Sequence, residues 1–290
     1  MLLSMTGFGN ATGQNDRLGV SLEVKAVNNR YLKISTRLPE VLGPLEPDFE
    51  RTVRKSVARG TVSVNVRLTP VGQATRYRIN TEVLEAYWHQ LEGHLVPAPA
   101  TAEGMLALPG VVDDALSGTV DCRQEWPLIE KTLAEALENL QTFRRREGDA
   151  MRDDLSANCE ILSNSLTKVA DRAPLVVSEY RDKILGRVEE LLKDHSATVT
   201  ADDLIREVSV FADRCDINEE ITRLRCHIEE FGKVMEASAS QGRKLDFLSQ
   251  EMFREVNTIG SKANDVEIAH NVVDMKAAVE KMREILQNVE

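Results

Sequence analysis

The chain has 290 residues, of which 42% are hydrophobic and 29% charged, and this balance predicts a folded core instead of a disordered chain. Its net charge of −11 argues against a simple basic coat protein for nucleic acid, and no stretch reaches the roughly 20 apolar residues of a membrane helix. The four cysteines form no C-x-x-C pair and the N-terminus has no signal-peptide pattern, so we expect a reduced, cytoplasmic protein without a membrane partner.

The first part of the chain predicts strands and one helix. Alternating apolar residues indicate strands over Leu18–Val27 and Arg30–Pro39, and the Asn28-Asn29 pair between them predicts a hairpin turn. A helix is predicted over Pro44–Ala58, because acids near its start and bases near its end complement the helix dipole. Alternation over Thr61–Leu68 predicts another strand.

The remainder of the chain reads as mostly helical. A helix is predicted over Thr81–Leu95, and from Arg123 long helical stretches follow to the end. Breaks are expected near Arg172–Pro174, because proline lacks the backbone donor, and over residues 193–203.

The last segment repeats apolar residues at heptad spacing. These residues are Ile268, Val272, Met275, Val279, Met282, Leu286 and Val289. Such a seam needs a partner, either within the chain or from another subunit, so we expect a homo-oligomer. The pattern as a whole predicts an α+β protein. An N-terminal head of mixed α and β structure with an antiparallel sheet covers 1–120, a helical connecting region 121–204, and a helical domain with long coiled-coil-like helices 205–290.

Residues 216–231 predict a helix with polar side chains beside an apolar seam. At 100° per residue, four polar side chains lie within about 60° of one another, and a fifth lies next to them. They are Asp216, Glu220, Arg223 and His227, and the fifth is Glu219. Carboxylates bind divalent cations, arginine binds phosphate in a bidentate fork, and histidine transfers protons near neutral pH. Phosphodiester cleavage uses these functions, although the same spacing also fits a solvated face of ion pairs.

Residues 242–265 predict a second helix with a polar edge. This edge carries Arg243, Asp246, Gln250, Arg254, Asn257 and Ser261, flanked by Lys244, Glu251, Glu255 and Lys262. The amides are uncharged donors and acceptors, which suit a hydrogen-bond network. A solvated face is the alternative interpretation here as well.

The N-terminal part is basic although the chain is acidic. Residues 1–70 hold 10 Lys and Arg against 6 Asp and Glu, whereas the remainder holds 26 against 41. A basic head on an acidic body can bind a polyanion locally, and Tyr31 can stack on a base of a single strand. Ordinary surface charges would give the same composition.

Eight segments in this order resemble the bacterial YicC/YloC family over nearly the whole chain. They are "SMTGFG", "EVKAVNNRYL" with "RLPE", "LEPDFERTVRKSVARGTV", "PGVV", "RREG", "DINEEITRLRCHIEEF", "GRKLDFLSQEMFREVNTIGSKAND" and "REILQNVE". The glycines of "SMTGFG" lack the spacing of a phosphate-binding loop, so we give that segment little weight as a nucleotide site. The resemblance implies endoribonucleases that cut RNA internally, use a divalent metal and assemble as hexamers around the RNA. It also implies that residues 205–290 carry much of the active surface.

The resemblance and the shared helix faces together predict a metal-dependent endoribonuclease with its sites in both parts of the chain. The predicted catalytic residues are Glu219, Glu220, Arg223, His227, Glu251, Arg254 and Glu255. A Mg²⁺ or Mn²⁺ ion is expected at Asp216, Glu219, Glu220 and Glu251, with Glu255 as the alternative to Glu251. RNA is expected to bind Lys25, Asn28, Arg30, Arg37, Arg51, Arg59, Arg243, Lys244 and Lys262.

In this hypothesis the two helical edges and the basic head line one RNA channel. Arg223 and Arg254 would bind the scissile phosphate, and His227 would act as acid or base. Two other functions are open, a non-catalytic RNA-binding adaptor and a helical scaffold protein. Whether water or the RNA's own 2′-hydroxyl attacks is open too.

Overall fold

The computed structural model describes residues 2–71, 77–92, 102–114, 122–194, 201–237 and 240–290. The chain folds into two compact units. The N-terminal unit contains Met5–Arg144, and the C-terminal unit contains Met1–Ser4 with Arg145–Glu290. A sheet in the first unit and long helices in the second confirm the predicted α+β class. None of the helices in these described ranges combines the length and the apolar character needed to cross a bilayer.

A four-stranded sheet organises the N-terminal unit. Its strands are β1 (Gly7–Gln14), β2 (Leu18–Val27), β3 (Lys33–Arg37) and β4 (Thr61–Pro70). Their order across the sheet is β1-β2-β4-β3, with β3 parallel to β4 and the other two pairs antiparallel. The unit also contains α1 (Glu46–Ser56), α2 (Thr81–Glu92), α3 (Ala102–Leu106) and the short strand pair β5 (Tyr77–Ile79) and β6 (Val112–Asp114). The predicted helix over 81–95 is confirmed to Glu92, and its last residues lie outside the described ranges.

The predicted hairpin across Asn28-Asn29 is wrong, because β4 lies between β2 and β3. The Asn29 side chain instead donates to Thr61 Oγ1 at 2.9 Å, at the start of β4. The observed hairpin joins β1 to β2, where Asn15 Oδ1 accepts hydrogen bonds from the backbone N–H groups of Arg17 and Leu18. Alternation identifies a strand and its inward face but does not identify its neighbour.

One face of the sheet is covered by helices and forms a core. The inward residues of β2 and β4 pack against α1 and the first part of α4 (Cys122–Asp194), up to Arg144. Phe49 of α1 and Leu133 of α4 are completely buried there.

Two glycines of β1 allow α4 to approach the strand closely. A Cβ at Gly9 would overlap the Ala136 carbonyl oxygen, and one at Gly7 would lie 2.8 Å from Leu140 Cδ1. A rigid backbone atom cannot yield, so only glycine fits at Gly9. Because side chains alternate along a strand, Phe8 between these glycines points to the opposite, exposed face.

The C-terminal unit is helical. It contains α4 from Arg145 onward, α5 (Ala201–Cys215), α6 (Asn218–Met235), α7 (Gly242–Lys262) and α8 (Val266–Leu286). The predicted break near Arg172–Pro174 is wrong, because α4 continues through it to Asp194. Val169 and Val176 on either side of Pro174 are buried in the core, and this packing offsets the backbone hydrogen bond that proline cannot make. The other predicted break contains residues 195–200, which lie outside the described ranges.

The heptad seam of α8 is covered within the chain. All seven of its residues are at most 4% exposed and belong to the core of the C-terminal unit. The seam therefore gives no argument for a subunit contact. Asp265 caps α8 by accepting from the Ile268 N–H at 3.0 Å, and Arg172 Nη2 lies 2.8 Å from its other oxygen. The hydrogen bond from Arg172 holds the pKa of Asp265 below its ordinary value.

Candidate active site

The two helices that carry all seven predicted catalytic residues, α6 and α7, lie side by side and antiparallel. Lys262 at the end of α7 contacts Glu220 near the start of α6, and Lys244 near the start of α7 contacts Glu230 farther along α6. Their apolar stripes are buried, including Leu224 on α6. Polar side chains therefore line the seam between the helices, and those of α7 shown there, Lys244 and Lys262, flank its predicted edge.

A histidine and two glutamates converge in the middle of this seam. One ligand atom from each of His227, Glu251 and Glu255 lies within 4.8 Å of the other two. Glu255 is only 2% exposed, whereas His227 and Glu251 are half-buried. In the described part of the chain, no other three His, Cys, Asp or Glu side chains approach this closely. We call these three residues the His-Glu-Glu cluster.

Arg254 neutralises the two carboxylates of the cluster. Its Nη2 atom lies 2.7 Å from Glu251 Oε2 and 3.2 Å from Glu255 Oε1. Without such a partner, two adjacent carboxylates, one of them buried, would repel each other strongly. The same nitrogen makes both contacts, so the other N–H donors of this half-exposed guanidinium can bind a phosphate oxygen.

The chemistry of the cluster fits a divalent cation. An imidazole nitrogen and two carboxylate oxygens are ligand atoms for divalent first-row metals. Mg²⁺ prefers oxygen ligands alone, so the nitrogen favours Mn²⁺ of the two expected ions. A cation with bonds of about 2.1 Å separates opposite ligands by at most about 4.2 Å, so small side-chain movements would complete the site.

A second polar group lies at the start of α6, seven residues from His227. Lys262 Nζ lies 2.8 Å from Glu220 Oε1 and donates to the Asp216 carbonyl oxygen at 3.1 Å. Glu220 is buried, and its Oε2 atom has no hydrogen-bond partner among the described residues. The hydrogen bond to Glu220 raises the pKa of Lys262. This group joins the two helices at one end.

The structure divides the four predicted metal ligands among three places. Asp216 and Glu220 lie around Lys262, Glu251 belongs to the His-Glu-Glu cluster, and Glu219 forms an exposed ion pair with Arg223. Asp216 also precedes α6, where its side chain accepts from the Asn218 N–H at 3.0 Å.

The predicted RNA-binding residues differ in how they are paired. Three form ion pairs with carboxylates: Arg51 with Asp48, Lys244 with Glu230 and Lys262 with Glu220. A fourth, Arg59, donates a hydrogen bond to the Asn29 carbonyl oxygen. Two lie over aromatic rings, Lys25 over Phe8 and Arg30 over Tyr31. The remaining three, Asn28, Arg37 and Arg243, are exposed.

The sequence predicts Glu255 as an alternative metal ligand to Glu251, but it predicts His227 as an acid or base and not as a ligand. One signal was available, because Glu251 and Glu255 are four residues apart and share a helix face. The position of His227 opposite them depends on the register between α6 and α7, which no single-helix pattern contains.

A cavity of about 310 Å³ also lies in the C-terminal unit. Residues of α4, the end of α5 and the start of α6 line it, including Asp213, Cys215 and Asp216. The His-Glu-Glu cluster does not contribute to its lining. The candidate active site is therefore the α6–α7 seam and not this cavity.

Comparison with known proteins adds independent information. Residues 2–153 match the family model described as "Endoribonuclease YicC-like, N-terminal region", and residues 169–290 match "Endoribonuclease YicC-like, C-terminal". The protein named "Probable endoribonuclease YicC" of Clostridioides difficile is 31% identical, with both chains covered completely. The protein of the same name in Haemophilus influenzae is 30% identical, again over both full lengths.

The matches confirm the resemblance that the eight segments indicate. The C-terminal match includes α6 and α7 with the His-Glu-Glu cluster, and the N-terminal match includes the whole four-stranded sheet. The two family models together cover most of the chain, and the two relatives align over its full length. The chain therefore belongs to the YicC-like endoribonuclease family.

Proposed function

We propose that this protein is a metal-dependent endoribonuclease and that its divalent ion binds at His227, Glu251 and Glu255. The single observation that carries the proposal is the approach of these three side chains to within 4.8 Å across two helices. The names of the full-length relatives support RNA as the substrate. An ion held there would act as a Lewis acid toward the phosphate and would activate the attacking oxygen.

The residues of the chain bind and orient the RNA around that position. Arg254 lies on the cluster and can place a phosphate oxygen beside it with donors that the two glutamates do not use. Arg223 is exposed on α6, one helical turn before His227, and its fork suits a neighbouring phosphate. A His227 nitrogen that holds the ion is not free to transfer a proton, so we assign His227 to metal binding.

Bases of the N-terminal unit would hold the RNA backbone. Lys25, Arg30 and Arg37 are exposed and have no carboxylate partner among the described residues. An RNA channel formed by both units and a hexameric assembly around it stay predictions. With the seam of α8 buried, a subunit contact would need another surface.

The proposal is tested by incubating highly purified protein with labelled RNA, with and without EDTA. We expect internal cleavage that EDTA stops and that added Mn²⁺ restores, because the ion supplies the activation. Attack by water should leave a 5′-phosphate on the downstream fragment, and end-group analysis detects it.

Three other results would replace the proposal with a different mechanism or function. Cleavage that survives EDTA and leaves a cyclic phosphate would assign the attack to the RNA's own 2′-hydroxyl. RNA binding that weakens steeply with salt, but without turnover, would indicate an adaptor. Absence of RNA retention at low salt would leave a scaffold protein.

A further inference from the structure

The four-stranded sheet of the N-terminal unit has one face of which the proposed function uses only the bases Lys25 and Arg37. The covered face packs on α1 and α4, whereas the opposite face carries mainly exposed polar side chains. We call this second surface the open sheet face. Its charged residues are Lys25, Lys33, Arg37, Arg67 and Glu23, a basic balance in a chain of net charge −11.

Phe8 is an aromatic side chain on this polar face. The two glycines beside it face α4, so strand alternation directs Phe8 outward, where it is 38% exposed. Among the described residues of its unit, the ring packs in no hydrophobic cluster, and Lys25 Nζ lies 5.7 Å from its centre. A ring held this way offers a flat surface for stacking.

The strand register places hydrogen-bonding and basic groups beside the ring. Phe8 lies opposite Lys25, Lys25 opposite Ser63, and Ser63 beside Ser35, so one row crosses all four strands. With strands about 4.8 Å apart, the row is about 14 Å wide. Arg37 lies two residues farther along β3 than Ser35 and therefore on the same face.

The bases of this face are available for an anion. Lys33, Arg37 and Arg67 are exposed, and within the described ranges none of them forms an ion pair. A second aromatic, Tyr31, precedes β3 and is 69% exposed, with the Arg30 guanidinium 5.5 Å from its ring centre. Two exposed rings, each beside a cation, therefore lie near the two edges of the sheet.

We propose that the open sheet face binds single-stranded RNA, with a base stacked on Phe8 and phosphates held by Lys25, Lys33 and Arg37. Aromatic rings next to basic side chains bind unpaired bases of any sequence, because every base has a flat face. Paired bases inside a duplex have no free face, so this surface selects unpaired segments. The inference rests on the proposed function in taking RNA as the ligand, and it shares Lys25 and Arg37 with the backbone contacts proposed there.

The test measures binding of a fluorescein-labelled single-stranded RNA oligonucleotide to the full-length protein in EDTA by fluorescence anisotropy. Phe8→Leu, which keeps an apolar side chain but removes the ring, should weaken binding between about 5-fold and about 100-fold. Phe8→Tyr should bind as the wild type does. The control is Thr12→Ala, an exposed change on the same strand and face, which should leave the affinity unchanged.

Two further measurements separate stacking from general charge attraction. Binding of a fully paired RNA duplex should be the same for wild type and Phe8→Leu. Arg37→Gln should make single-strand binding less sensitive to salt. The slope of the logarithm of the association constant against the logarithm of the salt concentration should fall in magnitude by about 0.7, the value for one lost phosphate contact.

The outcomes distinguish this inference from the proposed function. Equal affinity of wild type and Phe8→Leu for the single strand would overturn the inference, even if the wild-type protein cleaves RNA normally. If the wild-type protein never cleaves RNA but Phe8→Leu weakens single-strand binding, the result would support RNA binding by the open sheet face and reject the nuclease function. An equal loss for duplex and single strand would also overturn it, because stacking cannot explain that result.

Discussion

Replacing His227 by alanine or Glu255 by glutamine is expected to slow RNA cleavage by about 100-fold or more. Each change removes one of the three ligand atoms that converge between α6 and α7. Glu255→Gln keeps the size of the buried side chain but removes its charge, so it tests the ligand with little change in packing. Single-turnover cleavage of labelled RNA measures the rate.

The control for these variants is Glu229→Gln, the same type of change on an exposed position of α6 outside the cluster. It should cleave at the wild-type rate. Raising the Mn²⁺ concentration should recover part of the activity of a ligand variant, because a weakened site fills at higher concentration. Normal cleavage by both His227→Ala and Glu255→Gln would remove the cluster from the mechanism.

Replacing Lys262 by methionine is expected to destabilise the protein more than replacing Glu220 by glutamine. The side chain of Glu220 is 7% exposed and that of Lys262 is 38% exposed. Loss of Lys262 leaves a buried carboxylate without its partner, at a cost of about 1–3 kcal/mol. Loss of the Glu220 charge leaves a lysine that can turn to water, so that variant should lose less than about 1 kcal/mol.

Urea denaturation of the two variants and of the double variant measures this asymmetry. The double variant should regain most of the stability lost by Lys262→Met, because the buried charge is gone. Lys281→Met, an exposed change on α8, serves as the control and should be nearly neutral. Equal destabilisation by Lys262→Met and Lys281→Met would show that the contact between Lys262 and Glu220 contributes nothing.

The pKa of Lys262 adds a pH dependence to the same pair. Glu220 raises the pKa of Lys262 above its ordinary value of 10.5, so the contact stabilises the fold fully below pH 10.5. As pH rises through the folded-state pKa, Lys262 loses its proton and this contribution disappears. The stability difference between wild type and Lys262→Met should therefore be constant near neutral pH.

Sequence patterns predicted the elements of the fold better than their arrangement. The heptad of α8 predicted a buried seam because its spacing depends on one helix alone, and every one of its residues is buried. The pairing of β3 with β4 cannot be predicted from alternation, because the alternation of β3 is the same whether it pairs with β2 or with β4. Pro174 predicted a break that the surrounding core packing overrides.

The candidate site shows the same limit. Helical spacing predicts a polar edge on each of α6 and α7, but α7 meets α6 through residues that flank its predicted edge, among them Glu255 and Lys262. Which acids meet the histidine depends on the register between the helices, so Glu255 joins His227 and Glu220 joins Lys262 instead. Phe8 was overlooked because its outward direction results from glycines that pack on α4, more than 120 residues away in the chain.

In the proposed function, the His-Glu-Glu cluster holds the divalent ion on which RNA cleavage depends. Anomalous diffraction from crystals of the wild-type protein grown with Mn²⁺ tests this claim most directly. We predict a manganese peak at bonding distance from a ring nitrogen of His227 and from carboxylate oxygens of Glu251 and Glu255. A manganese peak bound by other residues, with the cluster still closed by Arg254, would contradict it.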